Sequence, residues 1–334
     1  MLEPEEIDPT EVVAAVSTGA LPAPERVEAL LEEAYERYRN VEDGKVADYI
    51  PALAGVSPGL FGCCIVGVNG AVHAIGDARH AFSLQSVSKP FVMALVAEAL
   101  GAETVRQKIG VNATGLPFDS VMAIELNPER TMNPMVNAGA IATTSLAPGE
   151  TAAAKWDFVR DGLSRFAGRK LALDDDVYRT ASATNRRNRG IAQLLEGYGR
   201  LHGDAVEATD VYTRQCSLSV TAEDLAVMGA TLADGGVNPS TGERVVDPNI
   251  AKRVLAVMAT AGLYERSGEW LFEIGLPGKS GVGGGMVTIA PGKGGLGTFS
   301  PPLDEAGNSV RGQLVTRYLS ERLGLNLFAS KPAV

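Results

Sequence analysis

The chain has 334 residues, of which 45% are hydrophobic and 21% are charged, and its formal net charge is −10. This composition is ordinary for a globular protein, and an acidic surface argues against binding to nucleic acid, whose backbone is itself negative. The first residues lack the basic and apolar regions of an export signal, and no apolar run is long enough to cross a bilayer. We therefore expect a cytoplasmic protein without membrane segments.

The N-terminal part of the sequence predicts a helix, a hairpin and a second helix. Apolar residues at helical spacing predict an amphipathic helix over residues 24–40. Two runs of strand-forming residues, Phe61 to Val68 and Ala71 to Ile75, flank Asn69-Gly70, which favours a type I′ hairpin turn. The next helix must begin near Ser86, because proline at position 90 is tolerated only in a first turn.

The middle of the chain, residues 105–235, reads as helices and loops, and one helix starts at Thr221. Another helix is predicted from about Pro248 to Ala261. Two strands and a turn are predicted over residues 275–299, and a final helix is predicted with Asn308 as its cap. Strands near both ends favour an α/β sheet domain formed by residues 1–104 and 236–334. We expect an α-helical domain over residues 105–235, with the active site between the two.

The cysteines and histidines match no metal-binding or catalytic pattern. The cysteines are Cys63, Cys64 and Cys216, and the histidines are His73, His80 and His202. Their spacings fit no zinc motif, and no histidine has the context of a Ser-His-Asp triad. We predict buried, reduced cysteines and no metal site.

Ser86 and Lys89 are the first candidates for catalysis. They are three residues apart at a helix start, so their side chains share a face. A serine hydroxyl needs a base to become nucleophilic, and burial can lower the pKa of a lysine until it serves as that base. By itself, S-x-x-K also occurs on ordinary solvated helices.

The second candidate feature is the glycine-rich segment Gly278 to Gly285. It is not a phosphate-binding loop, because Glu273 stands where that motif requires glycine and a strand follows the lysine. A Lys-Ser-Gly strand edge beside an S-x-x-K helix is typical of penicillin-recognising serine hydrolases. The alternative is a glycine-rich turn that merely joins two strands.

Further segments, in matching order between about residues 40 and 290, carry a specific similarity: Tyr49 to Leu53, Gln85 to Pro90, Asn133 to Ile141, Arg187 to Asn188, Tyr212 to Ser217, Gly262 to Tyr264 and Gly275 to Val282. The chain resembles the glutaminase family. The resemblance implies a β-lactamase/transpeptidase-like α/β fold, with a mainly antiparallel sheet flanked by helices and an α-helical insertion domain. It also implies hydrolysis of L-glutamine without a metal or organic cofactor, and assembly as a homodimer or homotetramer.

The resemblance also implies roles for individual residues. Ser86 would be the nucleophile and Lys89 its base, and the backbone N–H groups of Ser86 and Val282 would form the oxyanion hole. The remaining assignments are Tyr264 for proton transfer, Tyr212 beside the reacting centre, Asn137 and Asn188 for the α-amino and α-carboxylate end of the substrate, and Tyr49 for closing the pocket. Tyr212, Tyr264 and Val282 would all contact the substrate.

Each of these residues also has an ordinary structural explanation. Asn137 is suited to capping a helix, and Asn188 follows two arginines on what reads as a charged helix surface. Tyr212 and Tyr264 are equally compatible with half-buried core positions.

One departure from the family affects the substrate. Glutaminases place a glutamate seven residues before the asparagine that matches Asn188, and this chain has Ala181 there. That glutamate is expected to pair with the α-ammonium of the substrate. The sequence therefore leaves two alternatives open: a hydrolase of the same fold acting on another amide or lactam, and a catalytically silent binding or assembly protein.

Overall fold

A computed structural model describes residues 19–330, so the segment in which we expected no export signal lies largely outside the described residues. The strands are β1 Gly62–Gly67, β2 Val72–Gly76, β3 Phe82–Ser83, β4 Ala172–Leu173, β5 Leu218–Val220, β6 Gly278–Ser280, β7 Gly285–Ala290 and β8 Gly294–Phe299. The helices are α1 Pro24–Tyr38, α2 Pro51–Ala54, α3 Ser88–Leu100, α4 Ala102–Ile109, α5 Val121–Leu126, α6 Asn137–Ser145, α7 Ala152–Ala167, α8 Asp175–Thr184, α9 Arg186–Gly197, α10 Ala205–Cys216, α11 Ala222–Ala233, α12 Pro248–Ala261, α13 Ser267–Ile274 and α14 Val310–Arg322. Short 3₁₀ turns cover Gln85–Val87 and Tyr264–Arg266.

The main sheet has the strand order β2-β1-β8-β7-β6, and its neighbouring strands are antiparallel. The predicted hairpin is the pair β1–β2, in which Val66 lies opposite Val72. Its turn is not the predicted type I′, because Gly70 has a φ of 82° while Asn69 does not adopt a positive φ, and the N–H of Gly70 bonds to the carbonyl of Gly67 (2.9 Å). Segment 275–299 was predicted as two strands, but it contains β6, β7 and β8. The additional strand, β6, is only three residues long, too short for a periodic sequence signal.

Helices cover both faces of the sheet. In β1, Cys64 and Val66 join the larger apolar core, while Cys63 and Ile65 join a second core with α1 and α14. This two-sided cover explains why every residue of β1 is buried. All three cysteines are free and buried, as predicted.

Glycines let α11 lie directly against the sheet. A Cβ atom added to Gly297 would come 2.0 Å from the carbonyl oxygen of Ala222, and one added to Gly295 would come 2.3 Å from that of Ala226. The helix begins, as predicted, with a capping box in which Thr221 and Asp224 each bond to the backbone of the other. α11 therefore packs on the sheet, although it falls within the range predicted as the helical domain. The division of the chain into two domains stays a prediction.

A second, small sheet connects the two chain segments that matter for the site. Its order is β3-β5-β4, and Ser83 in β3 lies opposite Ser219 in β5. The N–H of Leu84 also bonds to the carbonyl of Leu218 (2.8 Å). β3 leads into the turn that carries Ser86, and β5 follows α10, which carries Tyr212. This pairing therefore holds the two side chains near each other.

The structure confirms some predicted helix boundaries and corrects one. The helical segment that begins at Gln85 places Pro90 in the first turn of α3, and Gly101 ends that helix with a φ of 87°. The cap of α14 is Ser309, whose side chain accepts the N–H of Gly312, rather than Asn308. Within residues 19–330, none of the helices is long and apolar enough to span a membrane.

Candidate active site

Ser86 lies in a constrained turn between β3 and α3. Gln85 has a φ of 48°, a conformation that non-glycine residues rarely adopt and that costs about 1–3 kcal/mol. Two hydrogen bonds hold this turn: the Gln85 amide donates to Ser83 Oγ (3.0 Å), and Ser88 Oγ donates to the Gln85 carbonyl (2.8 Å). The surrounding structure therefore fixes the position of Ser86, which is itself buried.

A buried chain of hydrogen bonds supports the same turn from behind. Thr144 Oγ1 donates to Gln215 Oε1 (2.8 Å), and Gln215 Nε2 donates to Ser88 Oγ (3.1 Å). These two hydrogen bonds connect α6 and α10 to Ser88, which bonds to the Gln85 carbonyl. The local sequence around these residues contains no signal for this network, because its members come from three separate segments.

Lys89 is completely enclosed at the start of α3. Its Nζ donates a hydrogen bond to Asn137 Oδ1 (2.7 Å). Burial lowers the pKa of Lys89 to about 7, because an ammonium ion loses its hydration in an apolar environment. At neutral pH a large fraction of this amine is therefore uncharged and able to accept a proton.

Asn137 joins Lys89 to Asn188. It is the first residue of α6, and Val136 occupies the cap position without a side-chain capping bond. While Asn137 Oδ1 accepts from Lys89, its Nδ2 donates to Asn188 Oδ1 (2.9 Å). Neither asparagine has the ordinary role that its sequence context allows, since Asn137 does not cap a helix and Asn188 is partly buried against it.

Two tyrosine hydroxyls meet at Ser86. Tyr212, from α10, and Tyr264, from the second 3₁₀ turn, are both buried, and both hydroxyls are close enough to Ser86 for its side chain to influence their pKa values. Tyr264 also donates to the carbonyl of Ser280 (3.0 Å), and Tyr212 lies 3.4 Å from Asn137 Oδ1. Burial raises the pKa of both phenols well above its ordinary value, so both remain protonated at neutral pH.

The glycine-rich segment lies against the turn that carries Ser86. A Cβ atom added to Gly283 would come 2.7 Å from the Ser83 carbonyl oxygen, and one added to Gly281 would come 3.1 Å from a methyl group of Val87. Val282 is buried between these glycines. Among the hydrogen bonds of the described residues, none is donated by the N–H of Ser86 or of Val282. Both donors therefore remain available to a ligand.

Lys279 is a second buried amine that sequence reasoning did not assign to the site. Its Nζ donates to the Ser280 carbonyl (2.8 Å) and lies 4.1 Å from the centre of the Tyr264 ring. Burial, together with the charge of Lys89, holds the pKa of Lys279 well below its usual value. Its place in the buried strand β6, as the lysine of the Lys-Ser-Gly strand edge, is the signal that could have identified it.

Tyr49 and Ala181 lie at the periphery of the site. Tyr49 precedes α2, is 57% exposed, and is within electrostatic reach of Tyr264. Ala181 lies on α8 and packs against an apolar cluster that includes Val282. Asn185, one turn farther along, donates to Thr213 Oγ1 (2.8 Å). The wall at position 181 is therefore apolar.

Taken together, these contacts connect residues that are far apart in the sequence. A family model described as Glutaminase matches residues 44–328. Glutaminase 2 of Yersinia pestis is 60% identical over 321 residues, which cover 96% of this chain and 94% of that protein. The glutaminase of Colwellia psychrerythraea is 50% identical and covers 90% of this chain and 97% of its own length. The chain belongs to the glutaminase family.

Solved structures of the family have the same fold. A probable glutaminase named ybaS superposes with a TM-score of 0.91 at 45% identity, covering 92% of this chain and all of that one. A probable glutaminase from Bacillus subtilis, solved with 6-diazo-5-oxo-L-norleucine, superposes with a TM-score of 0.80 at 30% identity, covering 92% of this chain and 97% of that one. The predicted β-lactamase-like α/β fold of glutaminases is thereby confirmed.

Proposed function

We propose that this member of the glutaminase family hydrolyses L-glutamine to L-glutamate and ammonia through an acyl-enzyme on Ser86. The observation that carries the proposal is the environment of Ser86. A buried amine with a pKa near 7 lies one helical turn away, and the hydroxyls of two buried, protonated tyrosines lie close to the serine. This combination of nucleophile, base and proton donors is what amide hydrolysis without a metal requires.

In the proposed mechanism, Ser86 Oγ attacks the γ-carboxamide carbon while Lys89 Nζ takes the hydroxyl proton. The carbonyl oxygen becomes an oxyanion, which the N–H groups of Ser86 and Val282 bind. As the C–N bond breaks, Lys89 returns the proton through Tyr264 to the leaving nitrogen, which departs as ammonia. Water then attacks the ester carbon while Lys89 takes its proton, the bond from that carbon to Ser86 Oγ breaks, and Lys89 returns the proton to Oγ as glutamate leaves. Loss of one oxyanion donor typically costs about 3–4 kcal/mol of transition-state stabilisation.

The other residues of the site would hold the substrate. We assign Asn137 and Asn188 to its α-amino and α-carboxylate end, Tyr212 to a position beside the reacting carbon, and Tyr49 to closing the pocket. No metal or organic cofactor enters the scheme. We further propose a homodimer or homotetramer, as the family resemblance implies, and a cytoplasmic location, in keeping with three free, buried cysteines.

A second candidate substrate class follows from Ala181. A charged hydrogen bond contributes about 1.5–3 kcal/mol, so loss of a glutamate at this position would weaken the binding of an α-ammonium group roughly ten- to a hundredfold. A substrate amide without that group would not be affected. Specificity constants for L-glutamine and for its analogue without the α-amino group separate the two candidates, since equal values would favour the second.

Covalent labelling tests the nucleophile. We expect 6-diazo-5-oxo-L-norleucine, an electrophilic glutamine analogue, to add one label to the wild type at Ser86, as located by peptide mass spectrometry. Ser86→Ala should take up no label and should release no ammonia from glutamine. A label on another residue would overturn the assignment of the nucleophile. A wild type that releases no ammonia from any amide would instead favour the silent binding protein.

A further inference from the structure

Asp119 brings a carboxylate to the edge of the site. It follows Phe118, whose ring lies 4.5 Å from that of Tyr264, centre to centre, and 5.7 Å from Lys89 Nζ. The carbonyl of Phe118 accepts the backbone N–H of Asn137 (2.8 Å). Phe118 thus contacts three proposed site residues, which fix its position. Asp119 is the next residue in the chain and therefore lies beside the site.

An ion pair holds the Asp119 side chain near Asn188, the second asparagine assigned to the substrate. Arg187 Nε lies 2.7 Å from Asp119 Oδ2 and also donates to the Asp119 carbonyl (2.8 Å). Arg187 directly precedes Asn188, which bonds to Asn137. The ion pair therefore bridges the Phe118 segment and α9 beside the two asparagine amides.

The pair retains capacity for a ligand. Its contacts use Asp119 Oδ2 and Arg187 Nε, and among the described residues no hydrogen bond involves Asp119 Oδ1 or the Nη groups of Arg187. The two side chains are 32% and 58% exposed. An ion pair this exposed contributes little to folding stability, so its place beside the site suits recognition better than support.

Electrostatics agrees with this location. Burial and, after it, the Asp119 carboxylate raise the pKa of Tyr49, and the same carboxylate slightly offsets the lowering of the pKa of Lys89 by burial. Its negative charge is therefore felt at both the entrance and the base of the site. Position 181 of α8 offers no such charge, because Ala181 packs there against an apolar cluster.

We propose that the Asp119–Arg187 pair reads the charged head of the amino-acid substrate, with Asp119 accepting the α-ammonium and Arg187 donating to the α-carboxylate. This assignment rests on the proposed glutaminase activity. It supplies, from the Phe118 segment and α9, the charge that Ala181 does not provide on α8. Asp119 and Arg187 are thus specificity-determining residues for α-amino acid amides.

Two substrates and two variants separate the roles of the pair. Glutaramate (5-amino-5-oxopentanoate) has the carboxylate and the amide of glutamine but lacks the α-amino group. For Asp119→Asn we expect kcat/KM for glutamine to fall roughly ten- to a hundredfold, mainly through KM, with glutaramate unchanged. For Arg187→Gln we expect KM to rise for both substrates. Measurements belong at a pH above 8, where Lys89 is largely uncharged in wild type and variants alike.

Asp161→Asn is the matched control, because Asp161 also forms an exposed pair with an arginine, Arg160 (2.8 Å), but lies on α7. It should leave both specificity constants unchanged. A structural role for Asp119 would lower kcat/KM for both substrates equally in Asp119→Asn, and that outcome would overturn the proposal. The proposal would equally be overturned if Asp119→Asn changed neither specificity constant, or if the wild type had equal specificity constants for the two substrates. Absence of ammonia release from either amide by the wild type would contradict the proposed function itself.

Discussion

The neutral form of Lys89 is suited to act on Ser86 because its hydrogen bonding is already arranged. A neutral amine has two N–H donors and one lone pair, and one donor is used on Asn137 Oδ1. Asn137 is in turn held by its bond to Asn188. The orientation of the amine is thus set by two amides that we also assign to the substrate, so substrate binding and base positioning share the same side chains.

The pKa of Lys89 predicts the pH dependence of the reaction. Because the uncharged amine is the base and its pKa is lowered to about 7, kcat/KM should rise with pH through about 7 and level off above it. Ammonia release measured across this range tests the expectation. Asp119→Asn should move the rise to lower pH, since the Asp119 carboxylate raises the pKa of Lys89. A profile without a rise near neutral pH would exclude Lys89 as the base.

Residue-scale chemistry was predicted from sequence only in part. The S-x-x-K spacing suffices to place Ser86 and Lys89 on one helical segment. The enclosure that changes the pKa of Lys89 comes from elsewhere, including Phe118 and Asn137. Local spacing carries no information about such contacts. The sequence therefore predicts which residues are candidates for catalysis, but not the surroundings that set their pKa values.

At the scale of elements, the glycine-rich segment determines how close the proposed oxyanion donors come to Ser86. Gly283 contacts Ser83, and Gly281 contacts Val87, at distances that leave no room for a side chain without displacement. A serine hydrolase needs its main-chain donors within about 3 Å of the developing oxyanion. These contacts therefore make the segment a precise positioning element rather than only a connection between strands.

Gly283→Ala tests this positioning. Its Cβ would come 2.7 Å from the Ser83 carbonyl, so the segment should shift away from Ser86 and kcat should fall, by roughly 10²–10³-fold if one donor is lost. KM should change little. Gly268→Ala serves as the control, because a Cβ there meets nothing within 4 Å. A kcat close to that of the wild type in Gly283→Ala would contradict the proposed role of this segment.

Predictability at this scale depends on element length and on local chemistry. The Asn69-Gly70 pair predicts a hairpin, and the structure confirms the hairpin, but the predicted type I′ turn is wrong because only Gly70 of the two residues has a positive φ. β6 was not separated from β7 because three residues cannot show a period. Asn308 and Ser309 are both good caps and are adjacent, so only the observed bond to Gly312 distinguishes them.

At the scale of the whole molecule, the central sheet separates two apolar cores and brings the ends of the chain together. β8 lies between β1 and β7, which come from opposite ends of the sequence. The predicted order of strands and helices anticipated a shared sheet but not its strand order. That order depends on long-range pairing, such as Val66 with Gly295, which no local pattern encodes.

The contact between α11 and β8 predicts where this architecture is least tolerant. In Gly297→Ala the new Cβ would come 2.0 Å from the Ala222 carbonyl oxygen, so the helix must move off the sheet. We expect a loss of about 1–3 kcal/mol or more in the free energy of unfolding, measured by urea titration. Gly190→Ala, in α9, meets nothing within 4 Å and should be neutral or stabilising. Equal stability of the two variants would show that the sheet adapts.

The two buried amines, Lys89 and Lys279, have a consequence for anions. The pKa of each amine is lowered, and the charge of Lys89 lowers the pKa of Lys279 further. The two amines are therefore seldom protonated at the same time. An acidic inhibitor or the glutamate product would bind better when these amines are protonated, so its binding would be accompanied by uptake of protons from the buffer. Its affinity should consequently decline in alkaline solution, where a neutral amide is unaffected, so that mildly basic conditions relieve inhibition by product.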